Sequence, residues 1–242
     1  MTRQTGIILS RTQYGSDSVI LNILTTEGLI SVIRKGLSRN KSQVRMIETT
    51  VGMMVEYVCS PCSGSGALPY IKEMTLLPTH PVNAPLPPVR AAQKLFMCDI
   101  TRCSIRGGID DSPLFFLLEK YLSLLSSSDV RFLCLEYTYK LCAALGFAPR
   151  GENTVVASYY DMCEGVFTPF QPSHKYYLTP SYSNLFFSLD RSIDTSPHSY
   201  TTDQWEKLWH ILMTYYSLHV TDFHIPRSLA YLKEICRLEF FS

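Results

Sequence analysis

Five prolines fall within eleven residues, at Pro78, Pro81, Pro85, Pro87 and Pro88, and the hydrophobic pattern has a different period on either side of them. Proline fixes φ and carries no amide hydrogen. A run this dense ends a strand and resists helix until Pro88, which suits a helix's first turn. The cluster divides the 242 residues into an N-terminal unit, 1–79, and a second unit, 80–242. A hydrophobic content of 46% gives both units material for a core and excludes a disordered chain.

Before the prolines the period is two. Runs at about Gly6–Thr12, Val19–Leu24, Leu29–Ile33, Val51–Cys59 and Leu68–Leu77 are short and rich in β-branched residues. Tyr14-Gly-Ser-Asp17, Thr25-Thr-Glu-Gly28 and the Gly/Ser-rich stretch Ser60–Ala67 separate several of them as turns. Five short strands in so short a unit predict a small closed barrel, which removes exposed edges. After the prolines the period is 3.6. Helices are predicted at Val89–Arg106, Pro113–Ser126 and Asp129–Leu145, the last closed by Gly146. Trp205, Leu208, Trp209, Leu212, Tyr215 and Tyr216 form one apolar face of a further helix started at Thr201-Thr-Asp203, and about Pro226–Leu238 forms the last. Residues 150–200 are rich in Tyr, Pro and Ser, with an irregular hairpin at Tyr159–Phe167. The fold class is α+β multidomain: a five-stranded barrel, then an all-α domain with a small hairpin insertion.

The formal net charge is only +1, which by itself weighs against a nucleic-acid binder. The distribution says otherwise. Residues 1–80 hold eight Lys/Arg against five Asp/Glu, and residues 81–242 hold fourteen against sixteen. From Gly28 to Ile47 there are five cations, Arg34, Lys35, Arg39, Lys41 and Arg45, and no acid. A basic loop leaving a barrel strand suits a polyphosphate backbone, because clustered cations release condensed counterions on binding. Aromatic residues beside such a groove stack on bases, and Tyr14 and Tyr57 are available. The competing readings are a merely solvated loop and two tyrosines used for packing.

Other constellations are weaker. The eight cysteines, in a chain with no signal-peptide pattern, read as reduced thiols, and four lie within apolar helical patterns. Cys59-Ser-Pro-Cys62 has redox or half-zinc spacing but lies between two strands with no second pair. His219 and His224 are five apart and share no helical face. Asp110-Asp111 reads as a turn and helix cap, and neither a phosphate-cradling glycine loop nor a nucleophile elbow is present. No catalytic residues are expected, and neither a cofactor nor a metal. With no membrane-length apolar run, the chain reads as cytoplasmic.

The succession Tyr14-Gly-Ser-Asp17, Thr25-Thr-Glu-Gly28 and Arg34-Lys35-Gly36-Leu-Ser-Arg39-Asn-Lys41-Ser42 resembles the N-terminal OB domain of the RecO family of bacterial recombination mediators. Ala144-Leu-Gly-Phe-Ala-Pro149, at a helix end, and His219–Leu232 with Arg227-Ser-Leu229 resemble the family's helical domain. The resemblance implies an OB-fold barrel at 1–79 and a helical domain at 80–242. It implies binding of single- and double-stranded DNA, annealing of complementary strands, and help in loading RecA onto strands coated by single-stranded-DNA-binding protein (SSB). It also implies RecR and RecF as partners, and docking of the acidic, apolar-tipped SSB tail on the helical domain. By position the DNA contacts are Arg34, Lys35, Arg39 and Lys41, followed by Arg45. Arg90, Lys94, Arg102, Arg106, Arg131 and Lys140 are the candidate cations for the tail, each with an ordinary solvated role as its alternative.

One departure stands out. Many members of that family place a four-cysteine zinc module after the Leu-Gly-Phe helix, whereas Arg150–Pro180 has only Cys163 here. A degenerate, metal-free hairpin packed by Tyr159, Tyr160, Val166, Phe167 and Phe170 is expected. Two rival functions remain at this stage: a barrel that binds a peptide as a protein-interaction adaptor, and a hydrolase or transferase whose site would show as a deep pocket of titratable groups.

Overall fold

A computed structural model describes residues 3–36, 47–60, 67–105, 112–126, 131–150, 158–190 and 200–241. Its N-terminal strands are β1 (Gln4–Tyr14), β2 (Ser18–Thr25), β3 (Gly28–Lys35), β4 (Met54–Cys59) and β5 (Ile71–Leu76). All neighbours pair antiparallel in the order β3-β2-β1-β4-β5. The turn between β2 and β3 is held by Thr25, whose Oγ1 accepts the Glu27 amide at 3.1 Å and donates to the Gly28 carbonyl at 2.8 Å. At the edges, β3 meets the approach to β5 in a single parallel bridge, Ile33 to Tyr70, where the Ile33 amide donates to the Pro69 carbonyl at 2.9 Å. This is the strand order of a partly open OB-fold. The closed barrel expected from the sequence is thus a curled sheet with one backbone bridge across its seam among the described residues. Pro69 has no amide to return, so the ladder does not extend through it.

Alternation assigns the two sheet faces. Ile8, Val19, Leu21, Ile23, Val32, Val55 and Tyr57 point inward and are all but inaccessible to solvent. The outer face is divided. At one end Ile7, Leu9, Leu24 and Met54 join the core of the helical half, together with Phe96, Leu118 and Trp209. Leu9 reaches that core because the β1–β2 register shifts between Ile8 and Ser10, leaving Leu9 as an extra residue. Gly6 allows the strands this proximity: a Cβ there would lie 2.3 Å from Ile23 Cγ2 and 2.9 Å from the Leu24 carbonyl oxygen.

The helical half contains α1 (Pro88–Ser104), α2 (Ser112–Leu124), α3 (Leu133–Ala144), α4 (Pro180–Phe187), α5 (Thr202–His219) and α6 (Ser228–Phe240). Pro88 opens α1, and Thr201 caps α5 in a capping box with Gln204. Gly146 follows α3 at φ +87°, as the sequence predicted. The apolar face of α5 is buried, with Trp209 edge-on to Phe96 at 5.1 Å. Burial pushes the Cys98 and Cys236 thiols up to about 12, in keeping with the inert apolar role expected of them.

The stretch 150–200 holds more structure than its composition suggested. Three short strands, β6 (Tyr159–Asp161), β7 (Val166–Thr168) and β8 (Tyr177–Leu178), form a sheet ordered β7-β6-β8, and α4 packs against it. Tyr160 and Phe167 pair across the strands and pack on Phe187 of α4, with centroids at 5.0 and 4.8 Å. Val166 lies on the opposite face by alternation, and Phe170 lies beyond the strand; both are exposed. They are therefore not part of the hairpin's packing, as had been expected of them.

Two side chains join the halves. Asn83, in a 3₁₀ turn at Pro81–Asn83, accepts the Met54 amide at 2.8 Å and donates to the Met54 and Leu77 carbonyls at 2.8 and 2.9 Å. Lys94 of α1 is buried. Its stem lies across Gly52, which sits at φ +77°, and its ammonium donates to the Val82 carbonyl at 2.7 Å. Burial lowers its pKa, with Cys98 opposing. Asn83→Ala leaves the Met54 amide without its acceptor and takes one of two donors from each of the Met54 and Leu77 carbonyls at a part-buried junction, the orphaned amide alone costing about 1–3 kcal/mol. The expected result is a loss of roughly 2–3 kcal/mol in urea denaturation with the m-value unchanged.

Candidate nucleic-acid interface

Arg34 and Lys35 are adjacent in sequence, yet strand alternation sends them to opposite faces. Arg34 pairs with Val19 in an inward row, is buried, and its guanidinium lies 3.6 Å from the Glu48 carboxylate. Lys35 pairs with Ser18, which in turn pairs with Tyr14, so these three share the outer row. Lys35 is exposed, with its ammonium 3.9 Å from the centre of the Tyr70 ring. Arg39, Lys41 and Arg45 lie outside the described residues. The segment that carries them leaves from Gly36, whose amide donates to the Asp17 carbonyl at 2.9 Å beside the β1–β2 turn.

Of the two tyrosines singled out from the sequence, Tyr14 is 53% exposed and Tyr57 is buried in the sheet interior. Tyr70, not anticipated, takes the place expected of Tyr57. It is 39% exposed and flanks Lys35 from the far edge of the sheet. Farther down the same outer face, Asn22 donates to Ser10 Oγ at 2.9 Å and accepts from Ser31 Oγ at 2.7 Å. The open end of the curled sheet thus presents Tyr14, Ser18, Lys35 and Tyr70 above a polar row, next to the origin of the basic segment. A cation beside two exposed aromatic rings on a small β-sheet can hold a phosphate while bases stack.

Five of the six cations first considered for an acidic tail make contacts of their own. Arg90 donates to the Leu125 carbonyl at 2.8 Å, Lys94 is buried at the junction, and Arg102 pairs with Asp99 at 2.8 Å. Lys140 bonds Asp190, Arg131 stands over the Phe240 ring at 5.8 Å, and Arg106 lies outside the described residues. A different group comes together between β8 and α5, in a cleft of about 360 Å³. Lys175, Lys207 and His210 border it, Met162, Tyr176 and Ile211 are among its walls, and among the described residues no carboxylate lines it. Lys175 and Lys207 lie over the rings of Tyr176 and Tyr182, at 5.2 and 4.4 Å. Lys175 and Lys207 stand 32 positions apart on unlike elements, so no periodicity in the sequence marks the site.

The remaining motifs resolve into structural contacts. His219 stacks on Phe147 and bonds the Met162 carbonyl at 2.8 Å, while His224 bonds the Asp222 carbonyl, so the two histidines share no ligand position. Cys62, Asp110 and Asp111 lie outside the described residues. A cleft of about 610 Å³ at the domain junction contains His80, 3.0 Å from Glu119. The other ring nitrogen of His80 accepts the Val82 amide at 3.4 Å and caps the 3₁₀ turn. Among the described residues, no helix is long and apolar enough to cross a membrane.

Comparison with known proteins bears on the whole chain. Residues 1–79 match the family model for the N-terminal part of recombination protein O, and residues 88–228 match that for its C-terminal part. A DNA repair protein RecO from Phocaeicola vulgatus is 26% identical over 246 residues, which cover 97% of this chain and 99% of that protein. One from Flavobacterium psychrophilum is 27% identical over 95% of this chain and 96% of its own length. One from Bacteroides fragilis is 28% identical over 63% of this chain and 65% of its own length.

The split of the basic pair is open to a stability test. Arg34→Met removes a buried guanidinium from beside the buried Glu48 carboxylate and is expected to cost about 3 kcal/mol. Lys35→Ala, on the open face, is expected to stay within about 0.5 kcal/mol of the parent. Parallel urea titrations check both. Equal losses would mean that the two residues do not occupy opposite faces.

Proposed function

The chain belongs to the recombination protein O family and serves in DNA repair, and from that premise we propose that it is a recombination mediator that works by binding rather than by catalysis. It binds single- and double-stranded DNA, anneals complementary strands, and assists RecA loading on SSB-coated single strands. It does so in the cytoplasm with RecR, and with RecF. The observation that carries the DNA-binding part is the open end of the sheet, where Lys35 lies over Tyr70 in a row with Tyr14.

The mechanism is electrostatic and requires no reacting group. Lys35 and the basic segment with Arg39, Lys41 and Arg45 neutralise phosphates and release counterions. Two like-charged strands then approach to pairing distance. Tyr14 and Tyr70 supply sequence-tolerant stacking, each stacked base contributing about 1–3 kcal/mol. Arg34 contributes through Glu48, by holding the end of β3 from which the basic segment departs. The cleft between β8 and α5 suits the SSB tail: apolar walls for the tip, with Lys175, Lys207 and His210 for the carboxylates.

Fluorescence anisotropy with labelled single-stranded oligonucleotides, repeated over a salt series, tests the DNA surface. Lys35→Ala is expected to flatten the salt slope by about 0.7. Tyr70→Ala is expected to weaken binding by about 1 kcal/mol or more at every salt concentration. Unchanged affinity and slope in the Lys35→Ala, Tyr70→Ala double variant would place DNA elsewhere on the molecule.

A further inference from the structure

The sheet of β6, β7 and β8 gathers three metal-compatible side chains in one place. The Asp161 carboxylate, the Cys163 thiol and the His174 ring place donor atoms within 4.8 Å of one another. Oxygen, sulfur and imidazole nitrogen are each acceptable to zinc. Proton placement argues against a metal. The Tyr176 amide donates to His174 Nδ1 at 3.2 Å, so Nδ1 carries the lone pair and the neutral ring holds its proton on Nε2. Nε2 then donates to Asp161 Oδ2 at 2.9 Å. A metal-bound histidine needs the reverse, with the lone pair facing the ion and a proton on the other nitrogen for an acceptor. Here that nitrogen faces a donor.

The rest of the cluster is equally committed. Asp161 Oδ1 accepts the Cys163 and Glu164 amides at 2.9 and 3.1 Å, an arrangement that closes the β6–β7 turn. Asp161 ends β6, and His174 lies in the connection from β7 to β8, so their contact ties one loop of the sheet to the other. It is reinforced where the Met162 amide donates to the Tyr176 carbonyl at 3.0 Å. His174 also immediately precedes Lys175 and Tyr176, which border the cleft on α5.

We propose that the Asp161–His174 hydrogen bond is the cross-link of this sheet in place of a metal, and that both are positioning residues for the cleft that receives the acidic tail. The second half rests on the reading of that cleft given above. Cys163, exposed at the turn, has no part in the cross-link.

The experiment uses the full chain, with His174→Ala, Asp161→Asn, Cys163→Ser and Lys207→Glu. Purified protein dialysed against zinc-containing and then zinc-free buffer is analysed for metal, and its melting is followed with and without EDTA. Hydrogen exchange is read over residues 158–178, and affinity is measured for a labelled acidic peptide ending in phenylalanine. The expected results are no stoichiometric zinc, no effect of EDTA and no effect of Cys163→Ser. His174→Ala and Asp161→Asn should speed exchange across the sheet by about 10-fold. Both should weaken the peptide several-fold while the far-UV spectrum stays native. His174→Gln, which keeps a donor, should restore part of both losses.

Zinc retained at one per chain and lost in Cys163→Ser would overturn the cross-link in favour of a metal site. Unchanged exchange in the His174 and Asp161 variants would also overturn it. If Lys207→Glu leaves peptide affinity unchanged, the cleft reading fails, while the exchange data still decide the cross-link. If Lys207→Glu abolishes binding and the two cross-link variants do not weaken it, their positioning role is refuted.

Discussion

One extra residue in β1 decides which way the rest of the strand faces. Ile8 pairs with Ile23 inside the sheet, and the next register pair is Ser10 with Asn22, which leaves Leu9 unpaired. Leu9 and Ser10 therefore both point outward. Leu9 enters the core shared with the helices, and every later residue of β1 keeps the phase set by Ser10. Since a strand's side chains alternate with a period of two, a regular strand running through Leu9 with no bulge would turn Ser10, Thr12 and Tyr14 inward. It would send Gln13 and Arg11 to the face now used by Tyr14. The apolar junction with the helical half and the polar, aromatic surface at the open end thus depend on the same bulge.

The junction is correspondingly specific. Ile7, Leu9, Leu24 and Met54 are each buried to within 2% of completely, and such side chains contribute about 1.5–3 kcal/mol apiece. Apolar contact alone tolerates sliding. Asn83 removes that freedom by binding both backbone groups of Met54 at once, and Lys94 does so by lying across Gly52, where a Cβ would come within 2.5 Å of the lysine stem. A lysine stem serves here as packing material while its ammonium meets a carbonyl, a division of labour open to a long amphipathic side chain. Its charge is thereby withdrawn from solvent, which is why it is not a surface cation.

Much of this was legible in the sequence because it rests on local rules. The change of period at Pro78–Pro88, the turn at Thr25–Gly28, the cap at Thr201 and the stop at Gly146 are each fixed by the backbone preferences of a few residues. What was not legible depends on tertiary placement. Pro180-Ser-Tyr-Ser-Asn has the composition of a loop, and α4 forms because Phe186 and Phe187 find Tyr139, Tyr160 and Phe167 to pack on. Of the strand aromatics, Tyr57 was set beside the basic loop and Tyr70 was not, and only the seam between β3 and β5 shows which one stands beside Lys35. The basic run offered a clue that was available but coarse. Counting Arg34 and Lys35 as one patch ignores the alternation already invoked for the strand that carries them.

That distinction also changes what the near-zero net charge means. Surface charges farther apart than about 8 Å are largely screened at physiological salt, so the potential a phosphate meets is set by its immediate neighbours. Arg34 is internally compensated by Glu48 and adds little to the outer field. In the helical half, acids are tied into pairs such as Asp99 with Arg102 and Asp190 with Lys140. In the cleft on α5 the charged side chains among the described residues are cationic, although the domain around it is slightly acidic. A formal charge of +1 is therefore compatible with two separate anion-attracting surfaces, because a net value does not record where acids such as Asp99 and Asp190 are paired with cations.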